Sequence, residues 1–270
     1  MADVKDDVAI RIRNLHKAFE SNQVMKGLDL DVMRGETLVI LGRSGVGKSV
    51  LLKHILGILR PDEGTVEVDG QMISELRGRD LYRAVHNMGM LFQGAALFDS
   101  MTIADNVGFY LTEHVDPTTG KHYEPGEIRD RVDHALELVG LQGTQDKLPS
   151  DMSGGMRKRA GLARLIVYRP KFLLYDEPTT GLDPITAMQI NELIVQTQEE
   201  LKATSIVVTH DVISALYVGD RLALHENAVI AHIDKAEAFM KIDHPTIHFL
   251  LRTLKEDPQT FRREIHEGKQ

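Results

Sequence analysis

A chain of 270 residues with 42% hydrophobic content can bury a sizeable core, as one large domain or as a core with an inserted subdomain. Its net charge of -8 disfavours nucleic acid as a partner, and the absence of cysteine excludes disulfides and thiolate metal sites. The twelve histidines show no metal-ligand spacing, and no window of about 18 apolar residues offers a membrane span.

The acidic start, MADVKDDVAI, lacks the basic and apolar parts of a secretory signal, so the chain is expected to be soluble and to stay inside the cell. In VAIRIR, Val8, Ile10 and Ile12 share one face and Arg11 and Arg13 the other, which predicts an edge strand. TLVILG is a continuous apolar run, the form of a buried parallel strand. A helix follows over about 48–58, where Lys53 and His54 interrupt LLKHILGIL and mark it as buried in protein and not in a membrane. A further apolar strand leads to Gln93. Residues 112–127, rich in charge and turn formers, read as a surface excursion within a helical insertion over about 94–165. Helices are expected at 128–139, 156–168 and 184–202, and KFLLYDE and TSIVVTH repeat the buried-strand form. Strands alternating with helices predict an α/β fold with a mostly parallel sheet. The tail from Asp243 holds two helical fragments, TIHFLLRTL and QTFRREI.

The chemistry concentrates at strand ends. GRSGVGKS, Gly42 to Ser49, satisfies G-x-x-x-x-G-K-[ST] between an apolar strand and a helix, the context that motif requires. Gly42, Arg43, Ser44, Gly45, Val46 and Gly47 wrap the phosphates, Lys48 reaches the β and γ phosphates, Ser49 ligates magnesium, and Val50 follows. Asp176 and Glu177 end the FLLYDEP strand, with Asp176 assigned to the metal and Glu177 to the general base. Alone, such a pair would be a helix cap or a solvated turn. Gln93 is placed to contact both magnesium and the attacking water, and His210, ending SIVVTH, to donate to the γ-phosphate. Each would be an ordinary turn or structural residue without its neighbours. In DMSGGMRKRAGLAR, Ser153, Gly154 and Gly155 open a helix whose free N–H groups form a second phosphate site. The run Arg157, Lys158 and Arg159 reads as a solvated helix face, with contact to a partner or membrane as the alternative.

Together these segments resemble the nucleotide-binding subunit of an ATP-binding cassette (ABC) transporter, over about residues 8–235. The resemblance implies a P-loop NTPase of the cassette type, with a mostly parallel sheet core, an antiparallel β edge and an inserted helical subdomain. It divides the chain into a 1–240 ATPase domain, with the insertion at about 94–165, and a 241–270 helical tail. It implies that two copies pair head to tail, so that Ser153, Gly154 and Gly155 grip the ATP held by the other copy. Phe19 then stands at the place of the adenine-stacking aromatic, and Asp183 closes the GLD stretch. Met156 replaces the usual Gln and removes a polar side chain beside the signature glycines. SGGM, GAALFDS and DPITA look like the cassettes of Mla and Mce-type lipid systems. The implied cofactors are ATP and magnesium. The implied partners are a second copy, an integral-membrane permease, a small regulatory subunit and an Mce-type lipid-binding protein. The implied place is the cytoplasmic face of the inner membrane. Ala95, Ala96, Leu97 and Phe98 would form an exposed apolar groove for the permease, or else core. Import of a small polar solute, and a soluble role in translation or DNA repair, are the rival functions.

Overall fold

The computed structural model describes residues 7–20, 22–116 and 119–255. The described residues begin with β1 (Val8–Phe19), β2 (Asn22–Met33) and β3 (Thr37–Leu41), then α1 (Lys48–Ile55), β4 (Glu63–Val68), β5 (Gln71–Met72), α2 (Gly78–Val85) and β6 (Met88–Leu91). Next come α3 (Ile103–Glu113), α4 (Pro125–Leu138), α5 (Gly154–Ile166) and β7 (Phe172–Asp176). The remainder is α6 (Pro184–Leu201), β8 (Thr204–Thr209), α7 (Val212–Val218), β9 (Arg221–Glu226), β10 (Val229–Lys235), α8 (Ala236–Phe239) and α9 (Pro245–Lys255).

Two sheets result. One is antiparallel in the order β2-β1-β4-β5, and the other runs β10-β9-β3-β8-β7-β6. In the larger sheet β6, β7, β8, β3 and β9 are mutually parallel, and β10 joins β9 antiparallel at one edge. The apolar runs of β3, β7 and β8 follow from burial on both faces. Leu38 and Ile40 of β3 face the core shared with the antiparallel sheet and α1, whereas Val39 and Leu41 face the core shared with α3 to α7.

The expected edge strand is corrected. β1 is bonded on both flanks, to β2 and to β4. Alternation reports that one face is covered and says nothing about whether both flanks are bonded. Its arginines instead meet carboxylates across the strands: Arg11 Nη1 lies 3.3 Å from Glu67 Oε1, and Arg13 Nη2 lies 2.7 Å from Asp31 Oδ2.

The helices differ from expectation at their ends. α1 stops at Ile55, with Gly57 in the left-handed region at φ 66. α4 begins earlier than expected because Pro125, with no N–H to leave unpaired, suits its first turn. Between α3 and α4 the excursion contains one antiparallel bridge, Val115 to His122. Ile247 of α9 is fully buried against the core, and the fragment QTFRREI lies outside the described residues. Among the described residues, no helix is long and apolar enough to cross a membrane.

The basic run on α5 is also corrected. Arg157 is exposed, but Lys158 is buried and Arg159 is half-buried, donating to the carbonyls of Val139 and Gly140 at 3.3 and 3.2 Å. Three consecutive positions on a helix point in different directions, so a run of like charge cannot share one face.

Candidate functional site

Parallel strands deliver their C-terminal ends to one rim, where loops and helix N-termini are free to carry chemistry. There the loop after β3, the ends of β6, β7 and β8, and the start of β2 border a cleft of about 410 Å³. Ser44, Gly45 and the segment Gly47 to Val50 line it, with Gln93, Glu177 and His210 opposite. Gly47 has φ 108, and a Cβ there would lie 2.4 Å from Val24 Cγ1, so the turn into α1 needs a glycine.

Lys48 is only 5% exposed, and its ammonium is fully engaged. Nζ donates to the carbonyls of Gly42 at 2.7 Å and Arg43 at 3.1 Å, and lies 3.2 Å from Glu177 Oε1. Gly42 and Arg43 therefore serve the site through their carbonyls and do not line the cleft, nor does Val46. Ser49 Oγ donates to Asp176 Oδ1 at 2.7 Å, so the two expected metal ligands are already adjacent.

Glu177 is the hub. Its Oε2 accepts from Thr180 Oγ1 at 3.0 Å and from Thr209 Oγ1 at 3.4 Å, and lies 2.8 Å from His210 Nδ1. With Nδ1 turned to the carboxylate, the other ring nitrogen of His210 remains for a ligand. Glu177 itself adopts φ 48, a left-handed conformation rare for a side-chain-bearing residue.

Three expected groups stand elsewhere. Ser153 caps α5, its Oγ accepting from Met156 N at 3.2 Å, and Ser153, Gly154 and Gly155 do not line the cleft. Asp183 caps α6, Oδ1 accepting from Ile185 N and Thr186 N at 3.1 and 3.0 Å, also outside it. Phe19, 43% exposed at the end of β1, has Lys17 Nζ 5.5 Å from its ring centre and lies outside the cleft lining too.

Other residues escaped the sequence reading. Asn22 and Val24 line the cleft from β2, and no motif marks them. Thr180 sits in the same DEPTTGLD stretch as Glu177 and was within reach of that motif. His225 of β9 is buried beneath the phosphate loop, where a Cβ on Gly42 would come 2.7 Å from its carbonyl oxygen. Burial, reinforced by the Lys48 charge, lowers its pKa to about 4, so the ring is neutral.

The pattern that describes the ABC transporter family matches residues 25–180, from β2 through the phosphate loop and the Ser153 turn to the Glu177 turn. The chain belongs to the ABC transporter family. As an ATP-binding cassette it binds ATP and is an ATPase. The cassette is 40% identical over 242 residues to MlaF of Haemophilus influenzae, an intermembrane phospholipid transport system ATP-binding protein, covering 89% of each chain. It is 39% identical over 261 residues to mkl of Mycobacterium leprae, a probable ribonucleotide transport ATP-binding protein, covering 97% of this chain and 74% of that one. It is 36% identical over 256 residues to the methionine import protein MetN of Carboxydothermus hydrogenoformans, covering 93% and 74%. Among solved structures, it matches the dimeric post-hydrolysis state of an ATP-binding cassette bound to ADP and Pi, with TM-score 0.75 and 27% identity, over 84% of this chain and 98% of that one.

Proposed function

We propose that this cassette is the motor subunit of a transporter in which two copies close head to tail over two MgATP and drive a separate permease that moves phospholipid or a related lipid between membranes. The observation that carries the first part is the meeting of Lys48, Ser49, Glu177 and His210 at one cleft, with Asp176 outside its lining but hydrogen-bonded to Ser49, while Ser153, Gly154 and Gly155 lie outside it without such a bond. A chain that keeps its second phosphate site away from its first is built to use it on another molecule.

The residues fit magnesium. Ser49 Oγ and Asp176 Oδ1 are hard oxygen donors in contact with each other, and Gln93 lines the same cleft. Bound magnesium would offset phosphate charge; the remaining work belongs to the protein. A nucleotide phosphate is a stronger acceptor for Lys48 than the loop carbonyls that hold it here. Once Lys48 turns to it, Glu177 keeps His210, Thr180 and Thr209 as partners and is free to take a proton from water. His210 bridges that base to the phosphate with its second nitrogen. Phe19 stacks on adenine, and Asp183 works at the contact between the copies.

We take residues 1–240 as the ATPase domain, with the helical part at about 94–165 as its insertion, and 241–270 as the tail. The proposed partners are the second copy, an integral-membrane permease, a small regulatory subunit and an Mce-type lipid-binding protein, with no nucleic acid. The proposed place is the cytoplasmic face of the inner membrane. The relation to MlaF favours lipid as cargo. The relation to MetN supports a second reading, import of an amino acid or similar small polar solute.

Purification of the native complex, reconstituted in lipid nanodiscs, separates the two. The expected result is ATPase activity that responds to phospholipid or to a lipid-carrying partner protein. A response to an amino acid or sugar with indifference to lipid would assign the cassette to solute import.

A further inference from the structure

Lys158 is the charged residue that the basic run on α5 hides. It is 6% exposed, and its Nζ donates to the backbone carbonyl of Glu177 at 3.3 Å. Burial lowers the pKa of this ammonium, and the charges of Asp176 and Glu177 oppose that shift. A methionine would fill the same space without removing a cation from water, so packing alone does not account for a lysine here.

The geometry around it is tight. Gly155, Lys158 and Gly161 recur at intervals of three along α5 and lie on the side of the helix that meets the core. A Cβ on Gly155 would come 2.5 Å from Thr186 Cγ2, and one on Gly161 would come 2.9 Å from Leu91 Cδ1. The two glycines bring the helix close enough for one lysine side chain to span to the end of β7.

The Glu177 peptide is held on both sides. Its N–H donates to Val208 O at 2.9 Å, and its carbonyl accepts from Thr180 N at 3.3 Å as well as from Lys158. A left-handed conformation such as φ 48 persists only where the surroundings enforce it.

We propose that Lys158 is a positioning residue for Glu177: it fixes the peptide of the base in its left-handed turn and ties the direction of the carboxylate to the position of α5. The helix that opens with Ser153 thereby acts on the hydrolytic centre of its own chain, in addition to whatever its N-terminus grips. The inference rests on the proposed role of Glu177 as general base.

The test uses the full chain with Lys158→Met and Lys158→Gln, each alone and combined with Glu177→Gln. Four quantities are read: melting temperature, ATP affinity by equilibrium binding, kcat with KM, and amide exchange at residues 177–180 without nucleotide. Lys158→Met is expected to keep the melting temperature and to hold ATP affinity within about twofold, while kcat falls about tenfold with KM little changed. Exchange should rise at residues 177–180 and not across the sheet. Lys158→Gln retains a donor and should recover part of kcat, and Lys158→Met should lower the rate of Glu177→Gln no further. A folded Lys158→Met chain with wild-type kcat, a Lys158→Gln chain no better than Lys158→Met, or a full multiplicative loss in the double variant overturns the positioning role. If Glu177→Gln itself hydrolyses ATP normally, the reading of Glu177 as base fails instead, and the two failures are distinct.

Discussion

Glu177 and His225 show how a residue's surroundings decide its chemistry. Glu177 has four side-chain partners, so Glu177→Gln keeps most of the hydrogen bonding and removes the basicity. The expected result is retained ATP binding with hydrolysis lower by about two orders of magnitude or more. Equilibrium binding and steady-state ATPase assays on the same preparation check it. His225 acts on stability. Its pKa is lowered from 6.5 to about 4 in the fold, so between those values the unfolded chain binds more protons than the folded one. Its contribution is therefore complete above pH 6.5 and lost as pH falls toward 4, at up to about 1.4 kcal/mol per pH unit. His225→Leu should flatten the fall in stability by up to that slope, as measured by urea unfolding at pH 7.5, 6 and 5. His54, also lowered by burial, should leave a residual slope of the same sign.

At the scale of elements, the loop after Gln93 corrects part of the expected permease groove. Ala95 is buried, and Leu97 packs half-buried against the core, whereas Phe98 is 42% exposed and rests on Phe109 at 4.8 Å between ring centres. Phe98→Glu should loosen the permease complex with the isolated subunit still folded. Leu97→Asp should instead destabilise the subunit by about 1–3 kcal/mol, because a carboxylate would lose water there. Pull-down against the permease and thermal unfolding of each variant distinguish the two. The same contrast explains how much was legible in the sequence. β3, β7 and β8 could be read because burial on both faces writes a continuous apolar run, and the phosphate loop could be read because its glycines and lysine sit between such a strand and a helix. The pairing of β1 on both flanks was not legible, since backbone hydrogen bonds leave no mark on side-chain alternation. Lys158 was not legible either: neighbouring arginines gave it the look of a surface residue, and its burial depends on its bond to Glu177 and on the close approach of Gly155 to Thr186 and of Gly161 to Leu91, all from distant parts of the chain.

For the molecule as a whole, the separation of Ser153, Gly154 and Gly155 from the cleft has a genetic consequence. If each working site combines the phosphate loop of one chain with the Ser153 turn of another, a defect in either part spoils a pure population completely. On the proposed roles, Lys48→Ala removes the cation that would meet the phosphates, and Gly154→Asp sets a negative charge where a phosphate would dock. Neither variant alone should hydrolyse ATP. Mixed, they form hybrid pairs in which one site has both its parts defective and the other has both intact: the Gly154→Asp chain supplies a sound phosphate loop, and the Lys48→Ala chain a sound Ser153 turn. Co-expression of the two dead alleles should therefore restore measurable ATPase activity, whereas two alleles that both damage the phosphate loop should never rescue each other. If the Lys48→Ala and Gly154→Asp chains stay inactive together while hybrid pairs are recovered by differential tagging, each chain would have to complete its site alone.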